Sequence, residues 1–367
     1  MTNFSTQSIH VGQQPDPTTW AIIPPLYLTS TYVQEYPAQT KGYDYTRSGN
    51  PNFTNVEKTL ASLENGEYGL IYSSWLGALS TISLALLKQG DTVLAINDLY
   101  GWTYRLMTKV FTNFGVNFVT VDVEKDNLEN VLEKYKPKIF LLESPTNPLL
   151  KTSDIKFVAE KVHHVGWLLV VDNTFATPYF QKPIDLWADI VVHSTTKYLG
   201  WHSDVVGGAT ITKDQSIQDK LAYFRNAVWF NPSPFDAWLL SRSLKTLSVR
   251  MDRHASNAKK IVEFLIWHKL VKKVYYPWIS WIVSVVFYLD LQQTKTLISG
   301  FSLFSLAESL WGVESLVDHP ASMTHASIPV EERIKNWLED GLIRFSVWIE
   351  NIEDLIEDLK TSLEKFL

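Results

Sequence analysis

Ser194-Thr195-Thr196-Lys197 and, upstream, Val170-Val171-Asp172-Asn173-Thr174 are the groups best equipped for chemistry in this chain. A lysine amine condenses with an aldehyde to a Schiff base. Neighbouring hydroxyls can hold a phosphate, and a carboxylate can pair with a protonated ring nitrogen so that the ring accepts electrons. One cofactor, pyridoxal 5'-phosphate, needs all of these together. Singly, each residue has an ordinary reading. Lys197 could be a surface lysine, Ser194 and Thr196 turn caps, and Asp172 a buried structural acid or a cap. The setting adds weight: Lys197 follows the apolar run Asp189-Ile190-Val191-Val192-His193, and an amine at the end of such a run loses water and, with it, basicity.

The surrounding pattern explains how these groups come together. Short apolar runs alternate with helical stretches. Strands are expected at 92–96, 117–121, 138–142, 168–171 and 189–193, with helices at 103–114, 128–135 and 155–163. Such alternation implies right-handed crossovers and a mostly parallel sheet covered on both faces, with sites at the carboxyl ends of its strands. Asp172 and Ser194–Lys197 both follow strands. Residues 1–55 lack sustained periodicity and read as an N-terminal arm, 56–245 as a large cofactor-binding α/β domain, and 246–367 as a small α+β domain. Pro234 opens a long helical stretch through Met251, and 352–366 reads as an amphipathic helix.

Composition narrows the function classes. The chain has 367 residues, 46% hydrophobic and 20% charged, with a net charge of -6. No long basic run points to nucleic acid or an anionic membrane. There is no cysteine, so disulfides, thiolate metal sites and a cysteine nucleophile are excluded. His193 and His202 have spacings that suit core or turn roles better than zinc. Met1-Thr2-Asn3-Phe4-Ser5 has neither the basic nor the apolar region of a secretory leader, and the apolar stretch 278–291 is too short to span a bilayer. A soluble, cytoplasmic protein is expected.

The runs VVDNTFATP (170–178), DIVVHSTTKY (189–198), YDYTRSGNP (43–51), LESPTNPLLKTSDI (142–155) and HSDVVGG (202–208) resemble the cystathionine γ-synthase/γ-lyase family. These are transsulfuration enzymes that use pyridoxal phosphate. SLAESL (305–310), HPASMTHASIP (319–329) and GLIRFSV (341–347) extend the resemblance over nearly the whole chain. It implies the aspartate-aminotransferase-like α/β fold (fold type I). It implies small amino-acid substrates, and γ-replacement or γ-elimination on an O-acylhomoserine or cystathionine. Methionine γ-lyase, a sulfhydrylase and an inactive coenzyme-binding homologue are the alternatives.

The same resemblance gives roles to residues. Lys197 is the Schiff-base lysine and proton shuttle, and Asp172 the partner of the pyridine nitrogen. Ser194, Thr196 and the backbone N–H groups of Trp75 and Leu76 hold the phosphate, as helix N-termini do. Tyr100 stacks on the ring and assists the leaving group, and Asn147 contacts the ring hydroxyl. Arg344 clamps the substrate carboxylate, with Ser315 nearby, and Glu314 recognises the distal ammonium of cystathionine. Tyr45 and Arg47 reach the phosphate of a neighbouring subunit, which implies a homodimer and, by resemblance, a dimer of dimers.

The chain departs from this pattern in two ways. Trp20, Trp75, Trp102, Trp187, Trp201, Trp229, Trp278, Trp311, Trp337 and Trp348 stand where the family has glycine, and Trp167, Trp267 and Trp281 join them in part. Trp238 is an ordinary tryptophan. Glycine is scarce, at 16 residues. Ten more would bring it to about 7% of the chain, its usual share. UGA codons translated as tryptophan but read as glycine by the host would account for the pattern. The resemblance implies a second departure around Tyr276–Ile282, where family members carry roughly fifteen more residues.

Overall fold

The computed structural model describes residues 2–279, 281–308, 312–324 and 338–367. Seven strands build the large sheet: β1 (Tyr68–Tyr72), β2 (Thr92–Ile96), β3 (Asn117–Val121), β4 (Ile139–Glu143), β5 (Leu168–Asp172), β6 (Ile190–Ser194) and β7 (Gly208–Thr212). Their order is β1-β7-β6-β5-β4-β2-β3. The five strands from β6 to β3 run parallel, whereas β7 is antiparallel to both β6 and β1. β4, β6 and β7 are buried along their whole length. That explains their unbroken apolar character, since a sheet covered on both faces has no solvent side to alternate with.

β1 and β7 escaped the periodicity reading. Tyr68-Gly69-Leu70-Ile71-Tyr72 and Gly208-Ala209-Thr210-Ile211-Thr212 are short and glycine-bearing, and they pair with each other across a long stretch of sequence. Gly208 is there for close approach: a Cβ on it would meet the Ser74 carbonyl oxygen at 2.4 Å and the Trp75 Cα at 2.9 Å. β7 therefore lies directly against the turn that opens the helix Trp75–Leu86.

The start of the chain also differs from expectation. Phe4–His10 is a helix, and Phe4 packs edge-on against Tyr179, 5.2 Å between ring centroids. Two turns are too few to show a periodic stripe. Residues 11–50 contain no strand or helix beyond two isolated bridges, and the next helix begins at Pro51, capped by the Asn50 side chain.

The expected long helix after Pro234 is two helices, Pro234–Leu244 and Leu247–Leu265. They lead to a second sheet of β8 (Val271–Tyr275), β9 (Ile282–Phe287), β10 (Ser305–Leu306), β11 (Leu316–Asp318) and β12 (Leu342–Ser346), in the order β10-β11-β12-β9-β8. Residues 276–281 join β8 to β9, which pair antiparallel with a register shift near Val271. The amphipathic C-terminal helix Ile352–Leu363 buries Ile352, Leu355, Leu359 and Leu363. Among the described residues, no helix is long and apolar enough to cross a membrane.

Candidate active site

β4, β5 and β6 lie side by side, and their carboxyl ends carry the chemistry. Glu143 and Asp172 are Cα partners across β4 and β5, and Asp172 faces Val192, two residues before Ser194. Thr174 ties the strand ends together. Its N–H donates to Asp172 Oδ1 at 2.9 Å and its hydroxyl donates to the same oxygen. The Ser194 N–H donates to Thr174 Oγ1 at 2.8 Å. Behind them, buried His193 and Glu64 pair at 2.5 Å, and Asn173 Nδ2 donates to the same Glu64 oxygen at 2.8 Å.

A cavity of about 420 Å³ opens over these ends. Lys197, Asp172, Ser194, Thr196, Asn147, Tyr100, Trp75, Leu76 and Arg344 all line it. The walls set the charge states. Burial, reinforced by the Arg344 guanidinium and opposed by Asp318, lowers the Lys197 amine to about 7. Burial also raises Asp172, against the hydrogen bonds from Thr174 and the field of His193. Glu143 is raised well above the carboxylate range by burial and by Asp172 beside it; a cation between such groups restores their charge. The Tyr100 N–H donates to Glu143 Oε2 at 3.0 Å, which seats the Tyr100 ring at the rim.

Arg344 enters from the second sheet. It stands on β12 opposite Asp318 of β11, donates to Asp318 Oδ2 and to Asn147 Oδ1, and is 2% exposed. Asn147 thus links the two sheets at the cavity. Thr196 Oγ1 accepts from the Gly207 N–H at 2.9 Å. Ser74 caps the helix Trp75–Leu86 by accepting from the Gly77 N–H at 2.9 Å, and that helix N-terminus opens on the cavity.

Four sequence-read residues lie elsewhere. Ser315 is buried. Its hydroxyl donates to Glu350 Oε2 at 2.9 Å and accepts from the Trp348 N–H at 3.0 Å. Glu314 turns its carboxylate over Gly312, close to the Ser203 hydroxyl. Besides Asp172 and Glu143, the carboxylate that lines the cavity is Glu308, six residues before Glu314, with Arg105, Met323 and Thr324. Motif spacing could not choose between these two acids, although Glu308 sits in the SLAESL run. Tyr45 and Arg47 line a separate hollow of about 280 Å³ with Trp229, and buried Arg47 Nε has no hydrogen-bond partner among the described residues.

The donor set suits a phosphorylated pyridine aldehyde: an amine of lowered basicity, a buried carboxylate, hydroxyls, and a helix N-terminus for the phosphate. The sequence matches the family described as Cys/Met metabolism PLP-dependent enzymes over residues 5–364. The chain belongs to that family. Its cofactor is pyridoxal phosphate, and it is an enzyme of the transsulfuration type.

Cystathionine gamma-lyase of Dictyostelium discoideum is 45% identical, covering 99% of this chain and 98% of its own. Cystathionine beta-lyase of Lactococcus lactis is 44% identical over 100% of both chains. That alignment runs 382 positions against the 367 residues here, so the relative carries at least 15 residues without a counterpart in this chain. The crystal structure of cystathionine gamma synthase from Xanthomonas oryzae pv. oryzae in complex with cystathionine superposes with a TM-score of 0.96 at 38% identity, covering 100% of this chain and 98% of that one.

One wall residue fits the family's cofactor poorly. The indole of Trp75 packs edge-on against Tyr100, 5.9 Å between centroids. With Glu143 and Asp172 it also walls off a small void behind the cavity. Its Nε1 is buried without a hydrogen bond of normal geometry, yet its N–H lies close enough to lower the Asp172 pKa.

Proposed function

We propose that this enzyme cleaves or forms the Cγ–S bond of cystathionine, by γ-elimination or by γ-replacement on an O-acylhomoserine. One observation carries the reading: Lys197, Asp172 and Arg344 reach into a single cavity, with Glu308 at its mouth. When bound, pyridoxal phosphate supplies an aldehyde for amines and a ring that takes up the electron pair left at the substrate Cα.

The chain's own groups do the rest. Arg344, oriented by Asn147 and Asp318, receives the substrate α-carboxylate and so fixes which Cα bond faces Lys197. With its amine held near neutrality, Lys197 can take the Cα proton and, once it has given that proton up, take one from Cβ, whose electron pair then expels the substituent at Cγ. Asp172 would hold the coenzyme by its ring nitrogen, its carboxylate charge balancing the proton there. Tyr100, at the rim beside Glu143, is placed to pass a proton to the departing group. Glu308 offers the distal ammonium of cystathionine an opposite charge.

A homo-oligomer completes the picture. Tyr45 and Arg47 stand outside this cavity around a hollow of their own, and the unpartnered Arg47 Nε suits a phosphate presented by a second subunit.

β-Elimination is the second reading, favoured by the 44% identity to a protein named cystathionine beta-lyase. Cystathionine given to enzyme purified from its own source separates the two. 2-Oxobutyrate and cysteine are expected; pyruvate and homocysteine would establish the second reading instead. Cystathionine formed from an O-acylhomoserine and cysteine would mark a synthase. No turnover in any of the three refutes both readings.

A further inference from the structure

Trp75 holds the ring contacts that the coenzyme needs. Asp172 and Tyr100 are the wall groups that would hold a pyridine ring here, the carboxylate by charge and the phenol ring by its face. The indole is a flat ring that packs on Tyr100 and presents its own N–H to Asp172. It is 7% exposed and closes the cavity's inner wall. Glycine at 75 would clear that space and bare the backbone N–H groups at the helix start.

The backbone gives a second, independent signal. Trp20, Trp187, Trp201, Trp229 and Trp278 have φ of 59°, 70°, 76°, 58° and 63°. Five of the twelve described tryptophans are therefore left-handed, whereas only six other non-glycine residues are. A bulky side chain there is an outlier, and glycine is the residue that adopts the region freely. Trp229 ends the helix Gln215–Val228 with its N–H on the Arg225 carbonyl oxygen, the seat that glycine commonly takes. Trp187 ends the turn Pro183–Leu186 in the same way. At 20, 187, 229 and 278 the indoles are 85, 48, 57 and 64% exposed, so burial does not offset the strain. Trp201 is buried against Trp348 and Arg250, where packing does offset it. Trp102 and Trp348 have ordinary φ, and Trp311 and Trp337 lie outside the described residues.

We propose that positions 20, 75, 187, 229 and 278 are glycine in the working protein, each decoded by the host from a codon that is rendered here as tryptophan. UGA fits, because one base separates it from a glycine codon (GGA) and one from the tryptophan codon (UGG). Trp238 is the internal control. It lies inside the helix Pro234–Leu244 and its indole N–H donates to the Pro24 carbonyl oxygen at 3.1 Å, so it is tryptophan in both cases.

The proposal rests on the cofactor and not on the choice of substrate. Its test is the gene together with peptide masses of the protein from its own source. UGA at the five codons, UGG at 238 and glycine masses at the five positions are expected. UGG at any of the five, or a tryptophan mass there, overturns it. A second measurement uses chains made with glycine at 20, 187, 229 and 278 and either residue at 75, titrated with pyridoxal phosphate. The glycine chain should develop the visible absorbance of the Lys197 imine at coenzyme levels where the tryptophan chain shows none. Equal absorbance in both chains, or none in either, refutes the claim about position 75. Transsulfuration activity enters neither readout, so a wrong substrate would leave both results intact.

Discussion

Glycine and alanine at the four exposed left-handed tryptophans should differ in stability with a sign opposite to the usual one. Both substitutions remove the indole at 20, 187, 229 and 278, so the contacts of Trp229 with Arg47 and of Trp187 with Lys156 are lost equally. What remains is the Cβ. In left-handed backbone it costs roughly 1–2 kcal/mol, while the greater unfolded-state freedom of glycine costs about 0.5–1 kcal/mol. Glycine is then ahead by ~0.5–1 kcal/mol at each site. The four sites lie in separate loops, so the effects add to ~2–4 kcal/mol. Unfolding a chain of 367 residues releases about 0.8 kcal/mol per kelvin of entropy. The glycine quadruple should therefore melt roughly 3–5 °C above the alanine quadruple in a thermal scan followed by circular dichroism. Trp102, within the helix Gly101–Lys109, is the counter-control, where alanine should lead by about 0.5–1 kcal/mol. An alanine quadruple as stable as the glycine one would show that strain does not govern these positions.

Trp201→Gly, made alone, should behave differently despite its φ of 76°. Emptying a site 1% exposed costs about 3–5 kcal/mol against roughly 1–2 regained, and urea unfolding should show a net loss. The coenzyme-free chain should gain stability as pH rises. Lys197 has its pKa lowered to about 7 against ~10.4 unfolded, so between those values the unfolded state binds the extra proton. Lys197→Met should flatten that rise in urea titrations at pH 7 and 9. Arg344→Ala leaves Asp318 buried without its cation and should cost roughly 3–5 kcal/mol. Adding Asp318→Asn should recover much of the fold but not the KM, because the substrate carboxylate still lacks its partner. Glu308→Gln should raise KM for cystathionine while sparing a substrate without a distal ammonium, and an equal rise for both would remove Glu308 from that role.

Much of the chemistry was legible before any coordinates. Lys197, Asp172 and the hydroxyls beside Lys197 follow strands, and strand ends are local facts written in apolar runs a few residues long. Five parallel strands announced themselves in this way. β1 and β7 did not, because glycine-bearing five-residue runs carry no periodic signal and their pairing is antiparallel and long-range. The identity of the acid at the cavity was likewise hidden. Glu308 and Glu314 are six residues apart, and only the tertiary structure shows that Glu308 lines the cavity with Arg344 while Glu314 lies over Gly312. Glu143 stood in a quoted motif, yet its influence on Asp172 exists only because β4 and β5 are neighbours.

Residue types and their order along the chain thus determined the cofactor and pointed to Lys197 and Asp172 as candidates to hold it, since that reading depends on chemistry and on what lies within a few residues. The tertiary structure decided which strands adjoin, which carboxylates line the cavity, and which tryptophans sit in backbone that a side chain strains. Those outcomes depend on distances between segments far apart in sequence and on φ values, and neither is encoded in any short run of residues.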